Sequence, residues 1–349
     1  MAALSMLQTF DHIPSGVLNC GASDLQGMLG GPSLFYCEGA RKPALFVTVL
    51  QHGNEPTGFE AVQEILRRYA GGPLPRAMWL FIGNVAAAQE GKRVLAGQPD
   101  FNRAWPGTEL PPCGETAMMA EVVAKVTAEP LFASIDLHNN TGCNPHYGCV
   151  NVLDTAYLQL AALFARTVVY FTRPLGVQSG AMAWHAPAVT LECGQAGEKA
   201  ALSHAIDYLD ACLHLHHIPE QPVSPHDVHL LRTKATVKMV PGTDFCFGEA
   251  SAGVRFRPDL DHFNFGQLKE GQPIAELDDG NRMPVVATDN QGEDITRSLF
   301  SMNDGVLRAS QILIPSMATT NVDVVRQDCL FYVMEEIALG NEPGATGPT

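Results

Sequence analysis

Basic residues are scarce in this chain. Lys and Arg number 22 against 37 Asp and Glu, a formal net charge of −15. Phosphate backbones need a basic surface, so the deficit speaks against nucleic acid as a partner and disfavours an anionic membrane surface. A substrate carrying carboxylates would need a local basic pocket set against that field. Long apolar runs are missing as well: no uncharged stretch reaches the ~18 residues that a membrane span requires. The opening MAALSMLQTF has neither a basic segment nor a long apolar one, so no signal peptide is expected. The nine cysteines are odd in number and form no CxxC pair, which points to free thiols in a reducing cytoplasm. The six-residue separation of Cys143 and Cys149 is not a metal-binding spacing.

What is present is the composition of an ordinary soluble protein, 46% hydrophobic and 17% charged over 349 residues, enough for two domains. From Ala44 to about His217, apolar strand-like runs alternate with helical patterns. Strands are expected at ALFVTVL (44–50), MWLFIGNV (78–85), FASIDLHNN (132–140) and PAVTLECG (187–194). Helices are expected at 59–69, 115–128 and 198–215, with a longer apolar helix over 155–171 running on towards a strand. Such alternation predicts an α/β fold, a mixed and largely parallel sheet with helices on both faces. HIPEQPVSPHD (217–227) holds three prolines and no periodicity, and it reads as a linker. Beyond it, short strand-like runs punctuated by Gly, Pro, Asn and Asp predict a smaller β-rich domain. The expected boundaries are a catalytic domain at 1–217, a linker at 218–227 and a β-rich domain at 228–349 that caps the site. The tail GNEPGATGPT is expected to be disordered.

Chemistry concentrates where the strands end. QHGNEPTG (51–58) follows a buried strand and precedes a helix, and such loops are where open α/β sheets bind ligands. His52 and Glu55 occupy that turn, His138 ends the third strand, and Glu192 ends a later one. Two imidazoles and a carboxylate, with water in the fourth position, are a usual zinc set for hydrolysis. One zinc per chain on His52, Glu55 and His138 would lower the pKa of water towards roughly 7 and polarise a carbonyl. Glu192, in an otherwise apolar strand, is then the candidate general base and proton donor. The loop after the second strand offers Lys92, Arg93 and Arg103 as positive charge for a developing oxyanion. Arg103 beside Asn102 suits capture of a carboxylate.

In order and spacing, these motifs resemble the succinylglutamate desuccinylase/aspartoacylase family of zinc carboxypeptidase-like hydrolases. The family's motifs appear as His52-Gly-Asn-Glu55, Asn84…Arg93…Asp100-Phe-Asn102-Arg103, Asp136-Leu-His138-Asn139 and Glu192-Cys-Gly194. The resemblance covers roughly residues 44–215. It implies that His52, Glu55 and His138 bind zinc, that Glu192 is the base, and that Arg93 polarises the scissile carbonyl. It further implies that Asn102 and Arg103 hold the substrate's carboxylate, and that a β-rich domain narrows the entrance. One departure bears on the substrate. Where aspartoacylase has an arginine that reads the aspartate side chain, this chain reads SGAMAWHAP (179–187), and Arg173 is not at the matching place. An acidic leaving group is therefore not supported, and Ala181, Met182, Trp184 and His185 suggest a less charged one.

The expected activity is hydrolysis of the amide bond of an N-acyl amino acid or similar small compound, in the cytoplasm, with homo-oligomerisation left open. A carboxypeptidase acting on peptide C-termini would use the same metal set but needs an open cleft. A non-catalytic binding homologue would have no use for Glu192. HLHH (214–217) is expected to cap a helix rather than hold a metal, and His146 and Tyr147 are expected in a plain loop.

Overall fold

The computed structural model of the chain describes residues 6–10, 12–248, 252–278 and 282–339. The first five residues of the opening segment and the whole GNEPGATGPT tail lie outside them. The described chain divides into two compact units. One holds the residues up to 139 together with 146–229, and the other holds 140–145 and 230–338.

The first unit carries strands β1 (Gln8–Phe10), β2 (Ser33–Cys37), β3 (Ala44–Val49), β4 (Met78–Ile82) and β5 (Leu131–Asn140). It continues with β6 (Tyr147–Val150), β7 (Thr167–Tyr170) and β8 (Ala188–Gln195). Its helices are α1 (Leu25–Leu29), α2 (Thr57–Arg68), α3 (Val85–Gln89), α4 (Gly114–Val126), α5 (Thr155–Phe164), α6 (Gln178–Met182) and α7 (Lys199–His214). The strands lie in the order β1-β2-β4-β3-β5-β8-β6-β7. β3 runs parallel to both β4 and β5, β1 parallel to β2, and β6 parallel to β7, whereas β2 is antiparallel to β4 and β6 to β8. The sheet is thus mixed and mostly parallel, in an α/β fold.

Central β3 is buried at every position, as a strand covered on both faces must be. Phe46 packs with Met118, Met119 and Val122 of α4 on one face. On the other, α2 comes so close to Val49 and Leu137 that a Cβ on Gly58 would meet the Leu137 Cβ at 2.7 Å.

Two predicted elements stop early. The strand expected to run to Val85 ends at Ile82, because Asn84 turns to cap α3, its Oδ1 accepting from the Ala87 N–H at 3.1 Å. The long helix expected over 155–171 ends at Phe164, where Ala165 adopts extended backbone and the chain enters β7. The pairs β1–β2 and β6 go beyond the predicted elements.

The second unit is β-rich. β9 (His229–Met239) pairs antiparallel with β13 (Val285–Asp289) and with β17 (Phe331–Glu336), and β16 (Ile314–Ser316) lies beyond β17. A separate five-stranded sheet has the order β10-β11-β12-β15-β14. Its strands are β10 (Phe245–Phe247), β11 (Val254–Phe256), β12 (Pro273–Leu277), β14 (Phe300–Asn303) and β15 (Val306–Ala309). Val237, Phe256, Leu260, Leu299, Phe300 and Phe331 belong to one apolar core.

Candidate metal centre

The centre is built where β3 leaves the sheet. Leu50 takes a left-handed φ of 56°, a conformation unfavourable for a branched side chain, and its carbonyl is held by the Asn84 N–H at 2.6 Å. Gly53 then lies flat on α3. A Cβ there would sit 2.1 Å from the Ala88 nitrogen and 2.7 Å from the Lys92 carbonyl oxygen, so no other residue fits. Its N–H donates to the Arg93 carbonyl at 3.1 Å. This tight turn directs His52 and Glu55 inward, each 3% exposed. On β5, Asp136 and His138 are two residues apart and so share a face; both are buried.

The structure brings His52, Glu55 and His138 together. One ligand atom from each lies within 4.8 Å of the others, the one such group of His, Cys, Asp and Glu among the described residues. The two imidazole rings are 5.0 Å apart between centroids. His52 Nδ1 lies 2.8 Å from Glu55 Oε1, and His138 Nδ1 lies 2.7 Å from Glu55 Oε2. Each ring's other nitrogen meets a second carboxylate: His52 Nε2 is 3.0 Å from Asp100 Oδ1, and His138 Nε2 is 3.0 Å from Asp136 Oδ2. A carboxylate on Nε2 keeps the proton there and leaves the Nδ1 lone pair free, the arrangement that metal-ligating histidines adopt. Both Nδ1 atoms therefore converge with Glu55 on one point. The donor set of two nitrogens and an oxygen fits zinc.

His138 Nε2 also lies 3.2 Å from Asn102 Nδ2. One nitrogen cannot give its proton to Asp136 and accept one from Asn102 at once. The carboxylate prevails, because charge-assisted hydrogen bonds are roughly twice as strong as neutral ones.

Electrostatics follow the geometry. Burial opposes ionisation of Glu55, but His52 and His138 outweigh it and hold the carboxyl well below its usual range. Burial lowers the pKa of His138, yet Asp136 and Glu55 lift it well above the usual value. For His52, burial and then Arg93 act downward, while Glu55 and Asp100 carry it upward. Glu192 on β8 is the opposite case. Burial dominates and raises its pKa to about 7, against the pull of His138. Its Oε2 is buried with no hydrogen-bond partner.

The remaining expected residues lie around this group. Arg93 places NH1 3.5 Å from Glu55 Oε1 and NH2 3.2 Å from Asp100 Oδ2. Asn102 is buried, its Oδ1 accepting from the Gln178 N–H at 3.1 Å and from Gln51 Nε2 at 3.3 Å. Arg103 NH1 donates to the Asn102 carbonyl at 2.8 Å.

Ala181 and Met182 pack into the apolar core with Phe46 and Trp105 instead of facing a substrate, and Trp184 is exposed. Tyr147 lies in β6 opposite Glu192 rather than in a loop, and His146 stacks on His204 at 4.6 Å. His214 Nδ1 donates to the Asp210 carbonyl at 2.9 Å, in the last turn of α7.

Three further residues, Asp100, Asp136 and Asn139, support the site without a role that their motifs alone reveal. Asn139 accepts from the Thr57 N–H and donates to the Gly194 carbonyl, tying the ends of β5 and β8 to α2. Asp136 carried a readable signal. A carboxylate inside the apolar run FASIDL needs a partner, by the argument that singled out Glu192.

Residues 41–211 match the family model described as the succinylglutamate desuccinylase/aspartoacylase catalytic domain. No curated protein matches the chain by sequence. Among solved structures, the succinylglutamate desuccinylase from Vibrio parahaemolyticus is similar at 16% identity and a TM-score of 0.59, over 89% of this chain and 88% of that one. The succinylglutamate desuccinylase from Chromobacterium violaceum is similar at 18% identity and a TM-score of 0.56, over 85% of each chain. Murine aminoacylase 3 is similar at 15% identity and a TM-score of 0.51, over 85% of this chain and 97% of that one. At these identities the likeness is one of fold. Residues 41–211 are thus similar in sequence to the catalytic domain of the succinylglutamate desuccinylase/aspartoacylase family, and the chain shares the fold of these solved structures.

Proposed function

We propose that this protein is a zinc-dependent hydrolase that cleaves the amide bond of an N-acyl amino acid or a similar small N-acyl compound. The observation that carries the reading is a buried carboxylate, Glu192, with a free Oε2, whose pKa burial raises to about 7 and whose charge interacts with His138, Glu55 and His52, the residues whose ligand atoms converge. His52, Glu55 and His138 would hold the metal. Zinc there would supply a lowered water pKa and a polarised carbonyl.

The chain's own residues do the rest. Glu192 Oε2 takes a proton from the attacking water and returns it to the leaving nitrogen, a task suited to a carboxyl whose pKa is close to the working pH. Arg93 stabilises the carbonyl oxygen as it becomes negative. Arg103, with the Asn102 amide hydrogens left free by the Asp136–His138 pairing, receives the substrate's carboxylate. The family itself acts in hydrolysis, and the relatives' names, desuccinylase and aminoacylase, support an acylated amino acid as the substrate class.

The test is hydrolysis of a panel of N-acyl amino acids by zinc-loaded protein, alongside Glu192→Gln. Turnover of at least one member, lost in the variant while about one zinc per chain is retained, is the expected result. No turnover across the panel by fully loaded wild type would overturn the reading. Full activity of Glu192→Gln would remove Glu192 from the chemistry.

A further inference from the structure

We propose that Gln51 is a positioning residue that orients His138 and Asn102 together, through a buried relay beginning at Trp105. The inference rests on the metal reading of the site and deepens it. Leu50, in its left-handed conformation, turns the Gln51 side chain into the interior, where it is fully buried. There it uses its whole carboxamide. Oε1 accepts from the Trp105 indole N–H at 2.6 Å, while Nε2 donates to Asp136 Oδ2 at 2.8 Å and to Asn102 Oδ1 at 3.3 Å.

The indole fixes which way round the amide sits. Trp105 Nε1 can only donate, so it must face Oε1, and both Nε2 hydrogens are then presented to the two oxygens. Trp105 is itself immobile, fully buried with its ring against Phe81 at 5.8 Å and Phe46 at 6.3 Å.

Each recipient passes the constraint on. Asp136 receives the Thr48 hydroxyl on Oδ1 at 2.5 Å, and Gln51 and His138 Nε2 on Oδ2, so its carboxylate plane has no freedom to turn. His138 is thereby held with its Nε2–H on Asp136 and its Nδ1 facing Glu55. Asn102, accepting from Gln51 and from the Gln178 N–H, is held with its NH2 group outward from that pair. One side chain thus sets the geometry of a metal ligand and of a substrate-binding amide. Gln51 opens the motif QHGNEPTG, directly before the ligand His52.

The experiment measures zinc affinity by competition with a chromogenic chelator, independent of turnover, for wild type, Gln51→Leu, Gln51→Glu and Gln63→Leu. Gln63 is the internal control. It is also a buried glutamine, donating to the Val17 and Cys20 carbonyls at 2.7 and 2.9 Å in another part of the unit. Outer partners of metal-binding histidines typically contribute 10–100-fold to affinity. Gln51→Leu is therefore expected to weaken zinc binding by roughly that factor, and Gln63→Leu to leave it unchanged at comparable thermal stability. Gln51→Glu keeps the shape but sets a carboxylate against Asp136, and it is expected to be no better than the Leu variant. Nitrogen NMR of the His138 ring in the zinc-loaded proteins is expected to show one sharp Nε2–H signal in wild type and a broadened or shifted one in Gln51→Leu. If Gln51→Leu does not fold, Trp105→Phe removes the indole donor while keeping an aromatic ring in the core, and it is expected to loosen zinc several-fold.

Wild type that binds zinc while a folded Gln51→Leu, or Trp105→Phe in its place, binds equally well would overturn the inference and leave the site standing. Wild type that takes up no zinc would overturn the metal reading and the inference with it.

Discussion

Replacing Glu192 by Gln should stabilise the metal-free protein at alkaline pH, although the residue is proposed as the catalytic base. The carboxyl is 7% exposed with Oε2 unpartnered, and burial lifts its pKa from an ordinary 4.5 to about 7. A group whose folded pKa lies above its unfolded value stabilises the fold fully below the unfolded pKa. That contribution is lost as pH rises through the folded pKa. Here the window runs from 4.5 to about 7. The difference between the two values, at 1.36 kcal/mol per pH unit, corresponds to about 3 kcal/mol. Glutamine cannot ionise, so it escapes this loss, while the other titrating groups are common to both proteins and cancel in the comparison.

The assay is thermal unfolding of EDTA-treated wild type and Glu192→Gln at pH 5 and pH 8. At roughly 2–4 °C per kcal/mol for a unit of this size, the variant should gain up to about 10 °C on wild type between the two conditions. Zinc loading should shrink the gap, because a nearby dication favours the carboxylate. Parallel shifts of the two melting temperatures, or a variant that falls further behind at pH 8, would refute the claim that burial governs Glu192.

Two further outcomes follow from the same centre. His138 is held protonated by Asp136 and Glu55 despite burial, and a ligand must lose its metal-facing proton, so zinc affinity should fall with pH. The expected slope between pH 8 and 6, read by calorimetry in buffers of different ionisation enthalpy, is on the order of tenfold per pH unit for each proton released; a flat profile would contradict it. Gly53→Ala forces a Cβ to within 2.1 Å of the Ala88 nitrogen, so the turn must move off α3. Overpacking of this kind costs roughly 1–3 kcal/mol, and urea unfolding should show at least that loss together with weakened zinc binding. A variant as stable as wild type would mean that the turn is not held against α3.

Which parts of the centre could be read in advance depends on how far apart in the chain their causes lie. His52 and Glu55 share one turn, and the strand before it and helix after it are written in local periodicity. Glu192 was conspicuous because it interrupts an apolar strand. His138 needed one further assumption, that β3 and β5 are neighbours, and the sheet pairs them in parallel. The supporting residues are different in kind. Gln51 meets Asp136 across 85 residues of chain and Trp105 across 54, and no local pattern marks a carboxamide as belonging to a tryptophan.

The stretch around Met182 shows the same limit from the other side. Ala181 and Met182 are apolar and stand near the motif Glu, so they read as pocket lining, yet α6 turns both into the core beside Phe46 and Trp105. Apolar character says that a side chain leaves water without saying which surface receives it. A ligand set can therefore be legible from strand ends, while the residues that aim the ligands become visible once the sheet order is known.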